Sequence, residues 1–206
     1  MEWRFKRARG ALGVGVVAVF GAVAPPLWSA EPMRQANVIE ASTQLTPRRP
    51  LIAHVRFCLF HADQCVVRSD RRDPAHSAAD HFAEALRVNW SVNRAITPVA
   101  DEGFDSWDID VTEGDCEDYA LQKRKELIDL GWPTSALRIA IARTTDGLYH
   151  AVLLAEIGGV DYALDNLTSR VLPWSETPYT YIFLQDRADP RAWHRVEPAQ
   201  QFARAN

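Results

Sequence analysis

The sequence predicts an α+β domain in which a helix that carries a cysteine packs against an antiparallel sheet. Behind Cys116, apolar side chains recur at three- and four-residue steps, as on an amphipathic helix. Further along, the apolar runs 148–157 and 160–165 flank Gly158-Gly159, a sequence typical of a tight β-hairpin. The apolar run 137–142 predicts a third strand, so the sheet is expected to be an antiparallel meander.

Residues 1–30 have the composition of a targeting segment. Four basic residues precede an apolar run at 11–24, and Ser29-Ala30 supplies small residues for cleavage. Trp28 stands three positions before a cut after Ala30, where a small residue is preferred, so an uncleaved membrane anchor stays open as the alternative. Either reading predicts that the body of the protein lies outside the bacterial cytoplasm, in the periplasm or secreted.

The charge and size of the remaining chain narrow its class. Without residues 1–30, 19 Lys and Arg stand against 26 Asp and Glu, a net charge near −7. A nucleic-acid-binding protein favours a basic patch, so the charge argues against that partner. The remaining 176 residues suit one domain with its own core. Residues 31–50 are polar and interrupted by prolines, which predicts an N-terminal arm, whereas 191–206 predicts a polar tail.

The first half of the domain contains two of the three cysteines. Residues 54–60 have the composition of a strand. Export favours a disulfide between Cys58 and Cys65, which leaves Cys116 as the odd thiol. A metal site that adds His54 and His61 to these cysteines is the alternative, although the spacing fits no zinc pattern well. Residues 77–92 then predict an amphipathic helix beside the cysteine-bearing one.

Cys116 is expected in the first turn of its helix. Thr112 or Asp115 can cap the start, and Gly131 followed by Pro133 marks the end. The positive end of the helix dipole favours a thiolate there, while the flanking acids oppose one. A reactive thiolate in this position therefore needs a nearby imidazolium, and an inert buried cysteine stays open as the alternative.

The hairpin predicts a histidine next to an acid. If Gly158-Gly159 is a two-residue turn, paired residue numbers sum to 317 and Asp165 lies opposite Val152. His150 then projects from the same face, diagonal to Asp165. A cysteine, a histidine and an acid are what a thiol nucleophile requires. Two later runs, 171–174 and 179–184, are expected to add strands.

The chain resembles the bacterial transglutaminase-like cysteine proteinases, which belong to the papain-like and transglutaminase superfamily and include periplasmic proteases that release surface adhesins. The resemblance covers roughly residues 50–190, and we delimit the domain as 51–190. The matching positions are Phe57-Cys58, Val92-Asn93, Trp107, Gly-Asp-Cys-Glu-Asp-Tyr at 114–119, Lys123-Arg124, Leu127, Gly131, His-Ala-Val-Leu at 150–153 and Leu-Asp-Asn at 164–166.

This resemblance implies an acyl-transfer enzyme. Cys116 is the implied nucleophile, His150 the general base and then acid, and Asp165 the residue that orients the imidazole. The backbone N–H of Cys116 is a candidate oxyanion donor, and Trp107 either walls the site or only packs in the core. Hydrolysis of the thioester makes a peptidase, and attack by an amine makes a transglutaminase. A silent module of the same fold that binds a peptide or surface protein is a third hypothesis.

Calcium is the one cofactor that the resemblance implies, and the chemistry itself requires none. In the adhesin-releasing members the acids that flank the nucleophile bind calcium, and here these are Asp115 and Glu117. Carboxylates are the oxygen ligands that calcium prefers, and further acids stand upstream at 101, 105, 108 and 110. A solvated acidic loop explains the same residues equally well. The expected partner is a protein or peptide substrate, with a cell-surface protein as one candidate.

Overall fold

The core of the structure is an antiparallel sheet whose strand order differs from the order of the strands in the chain. Two helices cover one face of this sheet. The computed structural model describes residues 45–197. The targeting segment, most of the arm and the last nine residues of the tail lie outside this range. The helices are α1 (Ile52–Phe60), α2 (Ala78–Ala95) and α3 (Cys116–Asp129). The strands are β1 (Leu45–Arg48), β2 (Thr97–Pro98), β3 (Glu113–Gly114), β4 (Leu137–Arg143), β5 (Tyr149–Ile157), β6 (Val160–Leu164), β7 (Leu172–Pro173), β8 (Thr180–Gln185) and β9 (Trp193–Val196).

The large sheet has the strand order β1-β9-β8-β4-β5-β6-β7 across the described residues. Its centre, β4-β5-β6, is the predicted meander. Every pairing in this sheet is antiparallel, while β2 and β3 form a separate short parallel pair. The expected α+β class, with the cysteine-bearing helix on an antiparallel sheet, is confirmed. Among residues 45–197, no helix combines the length and the apolar character that crossing a membrane would need.

The hairpin has the predicted register. Gly158 and Gly159 both have positive φ, at 59° and 83°, which suits the two-residue turn. Ile157 pairs with Val160 and Leu153 with Leu164, so paired numbers sum to 317 as expected. Asp165 follows directly after β6 and therefore lies beside the first half of β5. This register determines where His150 and Asp165 lie relative to each other.

Helices α2 and α3 pack on the sheet through their apolar faces. Ser77 caps α2, and its hydroxyl accepts a hydrogen bond from the Asp80 N–H while the Asp80 carboxylate accepts from the Ser77 N–H. The shared core contains Val88 and Val92 from α2, Leu127 from α3 and Leu153 from β5, all buried. Burial of such side chains is the main stabilising term of the fold. The first turn of α3 is thereby held at one end of the sheet.

The strand predicted at residues 54–60 is wrong, because this segment forms helix α1. Its apolar side chains do not alternate; Ala53 and Phe57 are buried one turn apart, whereas Leu59 and Phe60 are exposed. Phe57 packs in a second core cluster with Trp107 of the acidic loop and Trp193 of β9. The β-branched and aromatic composition was therefore a misleading signal, since tertiary packing decided the conformation.

The arm and the tail also contain structure that the sequence did not predict. Leu45–Arg48 of the arm pairs antiparallel with Trp193–Val196 of the tail, so both contribute strands to the large sheet. Pro47 is tolerated because β1 is an edge strand. The indole of Trp193 is buried, which ties β9 to the core. The two segments were predicted without regular structure because each has only four strand residues and gains its partner from the other end of the chain.

Cys58 and Cys65 form a disulfide, as expected. The alternative metal site loses its ligands, because two sulfurs that are bonded to each other do not coordinate a cation as thiolates. His54 has other partners: Trp193 Nε1 donates to its Nδ1 at 3.2 Å, and Gln185 Nε2 lies 3.0 Å from its Nε2. Burial lowers the pKa of His54 to about 4, so this imidazole is neutral. Within the described residues, Cys116 is the free cysteine.

Candidate active site

Cys116 is the first residue of α3, as the sequence predicted. Asp115 precedes it in extended conformation as the N-cap, and the Asp118 carboxylate accepts hydrogen bonds from the N–H groups of Asp115, at 3.2 Å, and Asp108, at 2.8 Å. The sequence allowed Thr112 or Asp115 as the cap. Asp115 is the N-cap, and Asp118, three residues further on, completes its capping box. The close approach of Asp118 to Gly114 leaves no room for a side chain there. Backbone and cap together fix the thiol at the helix start.

The thiol has two direct contacts. The backbone N–H of Ala151 donates to Sγ of Cys116 at 3.3 Å, and Sγ lies 3.1 Å from Oε2 of Glu117. Burial raises the pKa of the Cys116 thiol well above its ordinary range, and the neighbouring Glu117 charge raises it further. The Ala151 N–H acts in the opposite direction because it stabilises the thiolate. The structure thus shows a protonated thiol that donates to Glu117.

His150 and Asp165 meet at the end of the sheet. His150 Nε2 lies 2.8 Å from Oδ1 of Asp165, and both side chains are buried. Because the carboxylate can only accept, Nε2 is the donor in this contact, and Nδ1 is left for another partner. Cys116, His150 and Ala151 line one cleft, although the described residues give the thiol no hydrogen bond to the imidazole. The predicted neighbours are therefore assembled around one opening.

Asp165 is held by three donors. Besides His150, the Leu167 N–H donates to its Oδ1 at 2.9 Å, and Tyr179 Oη donates to its Oδ2 at 2.6 Å. Burial acts to raise the pKa of Asp165, but the hydrogen bonds from His150, Tyr179 and Leu167 outweigh it and hold the pKa below its ordinary value. Burial, together with the contact to Asp165, raises the pKa of the Tyr179 phenol, so the hydroxyl stays a donor. The acid is thus ionised and fixed towards His150.

The contact of Tyr179 with the acid was missed, since the sequence predicted only that the run 179–184 forms a strand. Its ring also packs edge-on against His150, with centroids 5.5 Å apart. A tyrosine fourteen residues beyond the acid carries no local signal of this contact. The pairing of β8 with β4 rather than β7 brings Tyr179 there.

The cleft above the thiol has a volume of about 870 Å³. Apolar side chains make up much of its wall, including exposed Ile52 and Phe104 and buried Trp107. Arg48 stands at the cleft too, with its guanidinium 3.7 Å from the centre of the Phe183 ring. Trp107 thus does both things that the sequence allowed, because it lines the cleft and packs in the core. A cleft of this volume lies within the range of ligand-binding sites in proteins.

Carboxylates gather on one side of the cleft. Oxygen atoms of Asp101, Asp105 and Glu117 lie within 4.8 Å of one another, and a second group joins Asp115 and Glu117 with the thiol. Burial raises the pKa of Glu117 to about 10, and its contacts with Asp105 and Asp115 add to the shift. Oδ1 of Asp115 is buried without a hydrogen-bond partner. These acids repel one another as they stand, so the set fits a bound hard cation.

Two of the upstream acids expected near this group are engaged elsewhere. Asp110 lies 3.3 Å from Nζ of Lys125, and the Asp108 carboxylate accepts from Ser106 Oγ at 2.8 Å. Asp108 and Asp110 are therefore not counted among the candidate cation ligands. Of the described acids, the candidate cation ligands are therefore Asp101, Asp105, Asp115 and Glu117.

The family model for the bacterial transglutaminase-like cysteine proteinase BTLCP matches residues 44–201. The chain belongs to this family. It is a cysteine peptidase with a transglutaminase-like fold. The match extends beyond 51–190 at both ends and includes β1 and β9, in agreement with the sheet.

Three chains of Legionella pneumophila LapG are similar solved structures. Calcium-bound LapG is 24% identical over 60% of this chain and 75% of that chain, with a TM-score of 0.49. EGTA-treated LapG is 26% identical over 51% of this chain and 63% of that chain, with a TM-score of 0.46. A further LapG chain is 25% identical over 52% and 64%, with a TM-score of 0.44. A comparison with curated proteins finds no significant match.

Proposed function

We propose that this cysteine peptidase is exported and cleaves a protein substrate through Cys116, His150 and Asp165. The observation that carries the proposal is the buried hydrogen bond between His150 and Asp165 in the cleft that Cys116 lines. Nδ1 of His150 takes the thiol proton, and the Cys116 sulfur attacks the amide carbonyl. His150 then protonates the leaving amine, and water attacks the thioester to regenerate the thiol. Asp165 stabilises the imidazolium that forms between these steps.

Two backbone donors support the acyl-transfer chemistry. The N–H of Cys116 stands at the positive end of α3, where it can stabilise a developing oxyanion. The Ala151 N–H, which now contacts Sγ, favours the thiolate. Burial raises the pKa of the thiol, and its hydrogen bond to Glu117 keeps the proton away from His150.

Calcium is the proposed means of removing that obstacle. Asp101, Asp105, Asp115 and Glu117 would hold the ion, and its charge would favour the ionised carboxylates. A Glu117 carboxylate engaged by a cation no longer accepts from the thiol, which leaves Cys116 for His150. The ion would take no part in bond making or breaking.

The first test is the pH dependence of iodoacetamide labelling at Cys116 in the full chain, with calcium and with a chelator. Cys58 and Cys65 are joined in a disulfide, so labelling reports on Cys116 and peptide mapping assigns it. Labelling that persists well below the ordinary thiol pKa and is lost in His150→Ala supports a histidine-paired thiolate. Slow labelling that follows an ordinary thiol titration in calcium would falsify the triad.

The second test separates hydrolysis from amine transfer. Peptide products are collected with and without an added primary amine and analysed by mass. Free carboxylate ends in the presence of the amine support peptidase action, whereas covalent incorporation of the amine supports a transglutaminase. Intact mass of the protein recovered from the bacterial host, measured without reduction, tests removal of residues 1–30.

A further inference from the structure

Lys123 is a fully buried cation that the proposed chemistry does not use. Its relative exposure is 0%, and within residues 45–197 its Nζ has no hydrogen-bond partner. The nearest aromatic group is the Tyr119 ring, whose centre lies 5.8 Å from Nζ. Burying an ammonium without a partner is costly, and a Met or Leu would fill the same space without that cost. The charge therefore calls for a role beyond packing.

Contacts between α2 and α3 show which part of α2 lies beside Lys123. Tyr119 Oη donates to the Ile96 carbonyl at 2.6 Å, at the end of α2 and the start of α3. Just beyond the end of α3, Trp132 Nε1 donates to Oε2 of Glu84, in the first half of α2, at 2.6 Å. The two helices are thus antiparallel. Lys123, one turn after Tyr119, lies level with the turns of α2 that precede Ile96.

Those turns present Asn89 and Asn93. Asn93 Nδ2 donates to the carbonyl oxygen of Asp165 at 2.8 Å and to that of Thr168 at 3.4 Å. It thereby clamps the segment that follows β6 and carries the acid of the site. Asn93 Oδ1 is buried and has no partner among the described residues, and neither amide atom of fully buried Asn89 has one. Unpaired amide atoms of Asn89 and Asn93 thus lie at about the same height along the helix pair as the unpaired Nζ of Lys123.

We propose that Lys123 is a positioning residue for the peptidase site. Its ammonium donates through one internal water to the amide oxygens of Asn89 and Asn93, and thereby fixes the Asn93 amide that holds the Asp165 backbone. Buried polar groups that are left unpaired destabilise a fold, which is why neighbouring donors and acceptors pair with one another. This proposal rests on the proposed function, since it concerns the orientation of Asp165 towards His150.

The charges around Lys123 agree with this role. Burial lowers the pKa of Lys123 to about 7, while the Asp165 carboxylate acts to raise it. The acid that Lys123 positions thus also favours the charged form of Lys123. Arg124, the next residue, provides a matched control. It is buried as well, and its Nη1 donates to the Gln64 carbonyl at 2.7 Å, while its Nε and Nη2 have no partner among residues 45–197.

The test compares Lys123→Met, Lys123→Gln and Arg124→Met in the full chain with calcium present. Iodoacetamide labelling of Cys116 at pH 6 and the ¹⁵N chemical shifts of the His150 ring report on the site, and thermal unfolding reports on the fold. Lys123→Met is expected to lower the labelling rate by about tenfold or more and to change the His150 shifts, because small displacements at such sites are costly. Its melting temperature is expected to stay equal or rise. Lys123→Gln, which retains an N–H donor, recovers part of the rate.

Arg124→Met is expected to show the opposite pattern, a lower melting temperature with unchanged labelling. If wild-type labelling is itself slow at pH 6, the proposed triad fails rather than this inference. If wild type labels fast and Lys123→Met labels equally fast with unchanged His150 shifts, Lys123 is a packing residue and the inference is overturned. The His150 shifts of Lys123→Gln settle the same question should Lys123→Met fail to fold.

Discussion

Sγ of Cys116 lies 3.1 Å from Oε2 of Glu117, its direct neighbour on helix α3. The contact joins the proposed nucleophile to a carboxylate that is itself buried. Burial raises the pKa of both groups, and contacts with Asp105 and Asp115 raise that of Glu117 further. At neutral pH both groups therefore keep their protons, and the thiol donates to Glu117.

The substitution Glu117→Gln is expected to make labelling of Cys116 insensitive to calcium. Glutamine is neutral, as the protonated Glu117 is, so in chelator iodoacetamide labelling at pH 7 should stay close to the wild-type rate. Addition of calcium should change the rate of the variant little, whereas it should accelerate labelling of wild type by about tenfold for each unit by which the thiol pKa falls. The control is Glu113→Gln, an exposed acid just before α3. Equal acceleration of Glu117→Gln and wild type by calcium would contradict the account.

Glu117 also predicts how stability depends on pH. Its pKa is about 10 in the folded protein and 4.5 as its ordinary value, so the folded state binds the extra proton between these limits. Stability falls with rising pH wherever the folded state binds more protons than the unfolded one. In chelator, the free energy of unfolding contributed by Glu117 is thus greatest below about pH 4.5 and is lost towards pH 10.

Urea unfolding of wild type and Glu117→Gln between pH 5 and 9 measures this term as the difference between the two curves. Wild type should lose stability relative to the variant as the pH rises. A difference that is flat with pH, or that grows in favour of wild type, would show that Glu117 is ionised in the folded protein without calcium.

Calcium is expected to raise the melting temperature through the same acids. A ligand that binds only the folded state stabilises it by about 2.7 kcal/mol at a hundredfold excess over its dissociation constant. Asp101→Asn and Asp105→Asn each remove one ligand charge and should reduce the shift. Asp110→Asn is the matched control, since Asp110 pairs with Lys125 instead. Equal shifts in all three variants, or an equal shift with magnesium, would place the ion elsewhere.

How much the sequence predicts differs between the two halves of the site. The position of Cys116 and the register that joins His150 to Asp165 follow from local rules, because a cap, a helix repeat and a two-glycine turn each act over a few residues. The roles of Tyr179 and Asn93 could not be predicted, since each depends on a pairing between distant segments. The sequence shows that Lys123 is a charged residue on the apolar face of its helix, but it does not show why.

The same distinction explains the errors in the fold. The strand predicted at 54–60 rested on composition, which is a weak guide where packing decides. β1 and β9 are short and pair with each other across the length of the chain, so neither has a local signal. The strands β4, β5 and β6 were predicted because their neighbours in the sheet are also neighbours in sequence.

The disulfide is expected to stabilise the domain without taking part in the chemistry. Cys58 and Cys65 are seven residues apart, and a loop of this size contributes about 2.5 kcal/mol by the chain-entropy estimate. The double variant Cys58→Ser/Cys65→Ser should lose that much in urea unfolding and keep the labelling rate of Cys116 below its melting temperature. A large loss of labelling in the folded variant would instead link α1 to the site.

Tyr179→Phe is expected to slow the thiol while leaving the fold intact. The substitution removes the 2.6 Å hydrogen bond to Oδ2 of Asp165 and keeps the ring that packs on His150. A hydrogen bond to a charged group contributes about 1.5–3 kcal/mol, so labelling of Cys116 at pH 6 should fall by about tenfold. The measurement is the labelling rate in calcium.

Tyr181→Phe provides the matched control, two residues further along the chain and within β8. Its hydroxyl lies 3.1 Å from Thr177 Oγ1 and makes no hydrogen bond to Asp165, so its loss should leave labelling unchanged. An equal fall in both variants would mean that the two tyrosines act through the packing of β8. A fall confined to Tyr179→Phe, with unchanged thermal unfolding, means that the carboxylate must be held at both oxygens to orient His150.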